Sequence, residues 1–122
     1  MEFPKNDPIL PILDEKTIND GKTTAIIAYI SVIGLIIAIV LNNDKKNAFA
    51  SFHIRQSVGL NIASLIIGVL NIIPYIGWFA FAVGWVLLFI MWIIGLVNAL
   101  SGKAKPVPIL GPKFEEWFRG VN

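Results

Sequence analysis

Within FASFHIRQS, residues 49–57, an imidazole, a guanidinium and a carboxamide stand close together as His53, Arg55 and Gln56. Imidazole binds metals or moves protons, guanidinium pairs with carboxylate or phosphate, and the amide holds polar partners. Spacing narrows these options. On a helix His53 and Gln56 share a face, whereas Arg55 lies about 200° around from His53. The pair would then face a protein interior while Arg55 snorkels to lipid phosphates. Phe49 and Phe52, three residues apart, complete a candidate surface for a protein partner or a lipid headgroup.

A metal would need further ligands. No second His, Cys, Asp or Glu stands at ligand spacing from His53, so neither a metal nor another cofactor is expected. The chain has one histidine and no cysteine. Its apolar tracts hold no carboxylate to relay protons, and no serine has a recognisable base. No catalytic residue is assigned, and a non-enzymatic protein is expected.

The elements that would position these residues follow from composition. The chain has 122 residues, of which 56% are hydrophobic and 15% charged, a balance that points to a membrane protein. Residues 23–43 and 56–102 carry no charged side chain. A spanning helix takes about 20 apolar residues, so the first tract has room for one span and the second for two. The expected fold is an all-α integral membrane protein with spans at about 23–41, 48–73 and 76–100. Asn47 would cap the second span, and Pro74 would interrupt the second and third to make a helical hairpin. An irregular acidic tail, 1–22, precedes this domain, and it lacks the basic-then-apolar order of a cleaved signal. In the tail 103–122, Pro112 opens a short amphipathic helix at about 112–119. Its Phe114, Trp117 and Phe118 fall opposite Glu115 and Glu116, on the membrane or against the bundle.

Lipid is as apolar as leucine, so helices in a bilayer associate through small residues and hydrogen bonds. The second span carries Ser57, Asn61, Ser64, Gly68 and Asn71 at helical spacing. The third carries Trp78, Phe81, Trp85, Leu88 and Trp92. Folding at residues 74–75 sets Asn71 opposite Trp78, Gly68 opposite Phe81, Ser64 opposite Trp85, Asn61 opposite Leu88 and Ser57 opposite Trp92. Bulky then meets slight at each level. Asn61, nearest mid-bilayer, must be hydrogen-bonded.

Three crossings put the termini on opposite sides. Lys45, Lys46, Arg55, Lys103, Lys105, Lys113 and Arg119 fall on one side, which the positive-inside rule makes cytoplasmic. The N-terminus is then outside. This basic face suits anionic lipid, and no aromatic-rich basic motif points to nucleic acid.

The stretches AIIAYISVIGLIIAIVLNN, FASFHIRQSVGLNI and PVPILGPKFEEWF resemble a family of small bacterial membrane proteins of unknown function. That family is similar to the twenty-kilodalton component of the chloroplast inner-envelope protein translocon. The resemblance covers roughly residues 23–118, with 49–56 its most specific part. It implies that His53, Arg55 and Gln56 are motif positions in a multi-pass protein of the bacterial inner membrane. It further implies an accessory or scaffold subunit of a membrane complex, in protein translocation or insertion. Other integral membrane proteins, a translocase among them, would be its partners beside membrane lipid. The plastid relatives have four spans, and three here speak against an autonomous channel. The alternative is a self-associating small transporter or pore lined by the Asn and Ser face of the second span.

Overall fold

Ser31 and Pro74 are the two places where the apolar chain turns back on itself. The computed structural model describes residues 13–121, and their regular structure is helical: α1 (Glu15–Ile30), α2 (Val32–Lys45), α3 (Ala48–Val69), a 3₁₀ turn (Leu70–Ile72), α4 (Ile76–Leu100) and α5 (Gly111–Trp117). Most of the acidic tail, 1–12, lies outside the described residues. Its last part differs from expectation, because Glu15 already begins a helix. The Asp14 carboxylate accepts the Thr17 N–H at 2.8 Å and so caps α1.

The stem is α3 with α4. The helices Ala48–Ile72 and Ile76–Leu100 are each long and apolar enough to cross a membrane. At 1.5 Å per residue each measures about 37 Å. Asn47 caps α3 by accepting the Ala50 N–H at 3.0 Å. At the far end Ile73 is extended, and Tyr75 at φ 62° lets the Ile76 N–H reach the Pro74 carbonyl at 2.8 Å, a three-residue γ-turn. Gly77 permits the tight return, since a Cβ there would lie 1.9 Å from the Leu70 carbonyl oxygen.

The straight first span over 23–41 is not what forms. Ser31, at φ −166° and ψ 175°, is extended backbone between two short helices. Asn47 hydrogen-bonds both Thr17 of α1 and Asn42 of α2, while Ser31 joins their other ends. The two helices therefore run antiparallel as a hairpin about half the stem's length. Its tip is chemically satisfied. The Ser31 hydroxyl caps α2 by accepting the Gly34 N–H at 3.0 Å. The last carbonyls of α1 are taken by the stem: Ser57 donates to Ala28 O at 2.5 Å and Trp92 Nε1 to Tyr29 O at 2.6 Å. Hydropathy could not separate one continuous span from two half-length helices of the same composition. The distinction lies in Ser31 and its partners.

This hairpin and the chain after α4 together form a collar around one half of the stem. Residues 48–60 of α3 are almost wholly buried, whereas beyond Asn61 the same helix turns exposed or half-buried, meeting chiefly α4. The collar also sets the termini. Thr17 lies beside Asn47, and Lys103, just past α4, lies beside His53. The start of α1 and the end of α4 are thus at the same end of the stem, not at opposite ends as three crossings would require. Every charged side chain among the described residues occurs in segments at that end, and none between 56 and 102.

The stem's packing register departs from the sequence pairing in part. Trp78 Nε1 does reach Asn71, through its backbone oxygen at 3.2 Å. Gly68, however, has no atom within 4 Å of where a Cβ would sit, so the pairing with Phe81 is not made. Nearer the turn the small residues are on α4. Ile67 packs over Gly84 and Leu70 over Gly77. Ser57 and Trp92 each donate to the α1 tip, at Ala28 O and Tyr29 O. Asn61, Ser64, Leu88 and Trp85 line a cavity of about 380 Å³ beyond that tip, and Trp85 stacks on Phe89 at 5.7 Å.

Candidate functional site: the polar hub of the collar

The motif residues sit where α1, α3, the end of α4 and α5 converge. His53, Gln56, Phe49 and Phe52 are all fully buried. The His53 ring is boxed edge-on by Phe49, Phe52 and Tyr29, at centroid distances of 4.8, 5.2 and 5.5 Å. Its two nitrogens have different partners. Nε2 lies 2.8 Å from the Lys103 carbonyl, which can only accept, so Nε2 carries the hydrogen. Nδ1 is then the acceptor for the Tyr29 hydroxyl at 2.7 Å. One neutral tautomer satisfies both contacts. The ring consequently ties α1 to the chain leaving α4.

Gln56 does the same for the C-terminal segment. Its Oε1 accepts the Val107 N–H at 2.8 Å, and its Nε2 donates to Gly111 O at 2.8 Å and to Glu115 Oε2 at 2.7 Å. Between the two gripped backbone groups lies Ile109 at φ 71°, a backbone conformation that β-branched residues rarely hold. The carboxamide brackets a strained turn. The other oxygen of the same carboxylate, Glu115 Oε1, pairs with Arg55 Nε at 2.7 Å, and Arg55 Nη1 reaches Val121 O at 3.3 Å.

The structure brings together His53, Gln56, Phe49 and Phe52 in the interior rather than on an accessible partner or headgroup surface, and it turns Arg55 to Glu115 rather than to lipid. It also corrects the face assigned to the C-terminal helix. Phe114 is buried, but so is Glu115, whereas Trp117 is exposed. A helical wheel places Glu115 outward because it cannot see the arginine waiting for it. Burial pushes the Glu115 carboxyl up to about 7, against the opposing pull of Arg55 and the Gln56 amide.

Sequence reasoning missed Tyr29, the helix break at Ser31 and the buried role of Glu115. The signal for Tyr29 was available, for it is the one phenol in residues 23–43, and a buried hydroxyl needs a partner. Asn42 was missed as well. Its Nδ2 donates to Ser51 at 2.8 Å and its Oδ1 accepts Asn47 N–H at 2.9 Å, which locks the turn between α2 and α3. Among the described residues, no group of three or more His, Cys, Asp or Glu side chains is placed to hold a metal ion. What the hub's groups do in this geometry is bind one another, joining four segments of chain.

Comparison with known proteins supplies the setting. Over 85 aligned residues the chain is 31% identical to a UPF0132 membrane protein of Methanocaldococcus jannaschii, covering 66% of this chain and 59% of the relative. The chain therefore spans about three fifths of that relative's length. No solved structure matches it. Residues 20–114 match the MamF/MmsF profile, a stretch that contains the half-length hairpin, the stem and the hub through Phe114. The chain belongs to this family of membrane proteins, described as the magnetosome magnetite crystal formation protein family.

Proposed function

We propose that the chain is a non-enzymatic scaffold subunit of a membrane complex, with its working surface at the charged end of the stem. The observation that carries this reading is the saturation of the hub. Its imidazole, amide, guanidinium and carboxylate are all engaged within the chain, so they hold the collar's shape rather than turn over a substrate. Protein translocation or insertion is the setting implied by the family resemblance of residues 23–118 drawn from the sequence, and the matches found do not extend to the translocon component. Family membership, by contrast, supports a part in magnetite crystal formation. Cross-linking in native membranes tests the scaffold: bonds from Lys45, Lys113 or Arg119 to another protein are expected. Contacts confined to lipid and to copies of itself would refute it.

The same reading carries a topology. With α3 and α4 crossing the bilayer, α1 and α2 enter from the charged side and return to it, because 14 to 16 residues are too few to span. Irregular backbone at membrane depth survives where it is buried or lines a cavity, as Ser31 does. Both ends of the described chain then face the cytoplasm, the side favoured by basic residues. Because the natural chain has no cysteine, single substitutions report this directly. Lys16→Cys and Lys113→Cys are expected to react from the same side, and Tyr75→Cys from the other. Labelling of the first two from opposite sides would restore an odd number of crossings.

One observation favours a second reading, a self-associating small transporter or pore: the cavity flanked by Ser57, Asn61 and Ser64. Flux through purified protein in liposomes, abolished by Asn61→Leu, would support it over the scaffold. Absence of flux from a monomeric particle would remove it.

A further inference from the structure

A second cleft lies on the side of the stem covered by α5. It has about 490 Å³ of space, and its walls are almost wholly apolar, with Gly59, Ala63 and Ile67 of α3 facing Gly84 and Met91 of α4. Phe114 and Trp117 of α5 close its end nearest the charged side. From Gly59 to Ile67 the slot runs about 12 Å along the helix axis, the direction in which a lipid chain stands in a bilayer. Lys113 and Arg119, both exposed, flank the aromatic residues of α5 at that end. Lys113 lies one helical turn from Trp117, and its contact with Glu116 is an exposed pair 3.9 Å long.

We propose that this slot is a binding site for one anionic phospholipid, its acyl chain between α3 and α4 and its phosphate against Lys113 and Arg119. The occupant follows from the two ends of the site. The deep end offers no polar group to a peptide or a soluble ligand, whereas Lys113 and Arg119 stand exposed, next in sequence to the lining residues Phe114 and Phe118. Anionic headgroups concentrate on the cytoplasmic leaflet, the side assigned above to this end. The site rests on that assignment, which cysteine labelling tests separately.

Native mass spectrometry of the detergent-solubilised chain, with phosphatidylglycerol and phosphatidylcholine in competition, provides the test. The expected result is one retained phosphatidylglycerol per chain, preferred by about an order of magnitude for two surface cations. Ala63→Phe, which fills the slot, should abolish retention at unchanged melting temperature. The paired change Lys113→Gln with Arg119→Gln, on exposed positions, should erase the headgroup preference. Equal retention of the two lipids by the natural chain would overturn the proposal. So would a preference that survives the paired change, or a dimer that persists after delipidation and leaves the slot closed to lipid.

Discussion

Replacing Gln56 by leucine should cost more stability than any other single change on α3. The substitution conserves bulk and removes the amide. It leaves the Val107 N–H, the Gly111 carbonyl and one Glu115 oxygen without their partner, at three buried residues. A buried polar group left unsatisfied costs about 1–3 kcal/mol, so the three together come to roughly 3–6 kcal/mol. The turn at Ile109 adds to this, since its positive φ is held from both sides by the same amide. Thermal unfolding in detergent measures the effect. Ser64→Leu, at an exposed position whose hydroxyl bonds only its own helix at Asn61 O, is the matched control and should leave the transition nearly unmoved. If the two variants melt together, the hub is not what secures the C-terminal segment.

That contrast marks where the sequence could be read and where it could not. The helical class, the cap at Asn47, the turn at Pro74 and the long run 76–100 follow from local rules: charge-free length, an N-cap side chain, a residue without an N–H. The burial of His53 and Gln56 on one face follows from periodicity. The fold of the first tract does not, because a helix broken at Ser31 becomes favourable only once Ser57 and Trp92, far along the chain, donate to its loose carbonyls. The position of Glu115 fails for the same reason. Its nearest neighbours predict an outward carboxylate, and only Arg55 and Gln56, far earlier in the chain, make the inward one tolerable. Local pattern reaches as far as each element's apolar stripe. Pairings between polar groups of distant segments are not periodic and leave no trace in it.

Gly59 provides the second large effect, and one that no periodicity suggests. A Cβ at this position would lie 2.2 to 2.5 Å from three carbons of the Phe114 ring. The ring cannot retreat, for Phe114 is 2% exposed and belongs to the core cluster with Leu60, Met91 and Val107. Gly59→Ala should therefore expel Phe114 and undock α5. The lost burial of one phenylalanine is worth about 3–5 kcal/mol. The damage should stay local, because the α1–α2 hairpin is held by Asn47, Ser57 and Trp92, none of which touches this contact. Limited trypsin digestion distinguishes undocking from general unfolding. Cleavage after Lys113 should accelerate while the fragment carrying α1 to α4 persists, with helical circular dichroism nearly unchanged. Adding Phe114→Leu to Gly59→Ala makes room for the methyl group and should recover part of the protection. Cleavage at the natural rate in the single variant would mean that the ring does not rest on Gly59. Acceleration that the second change cannot relieve would trace the fault to the backbone of α3.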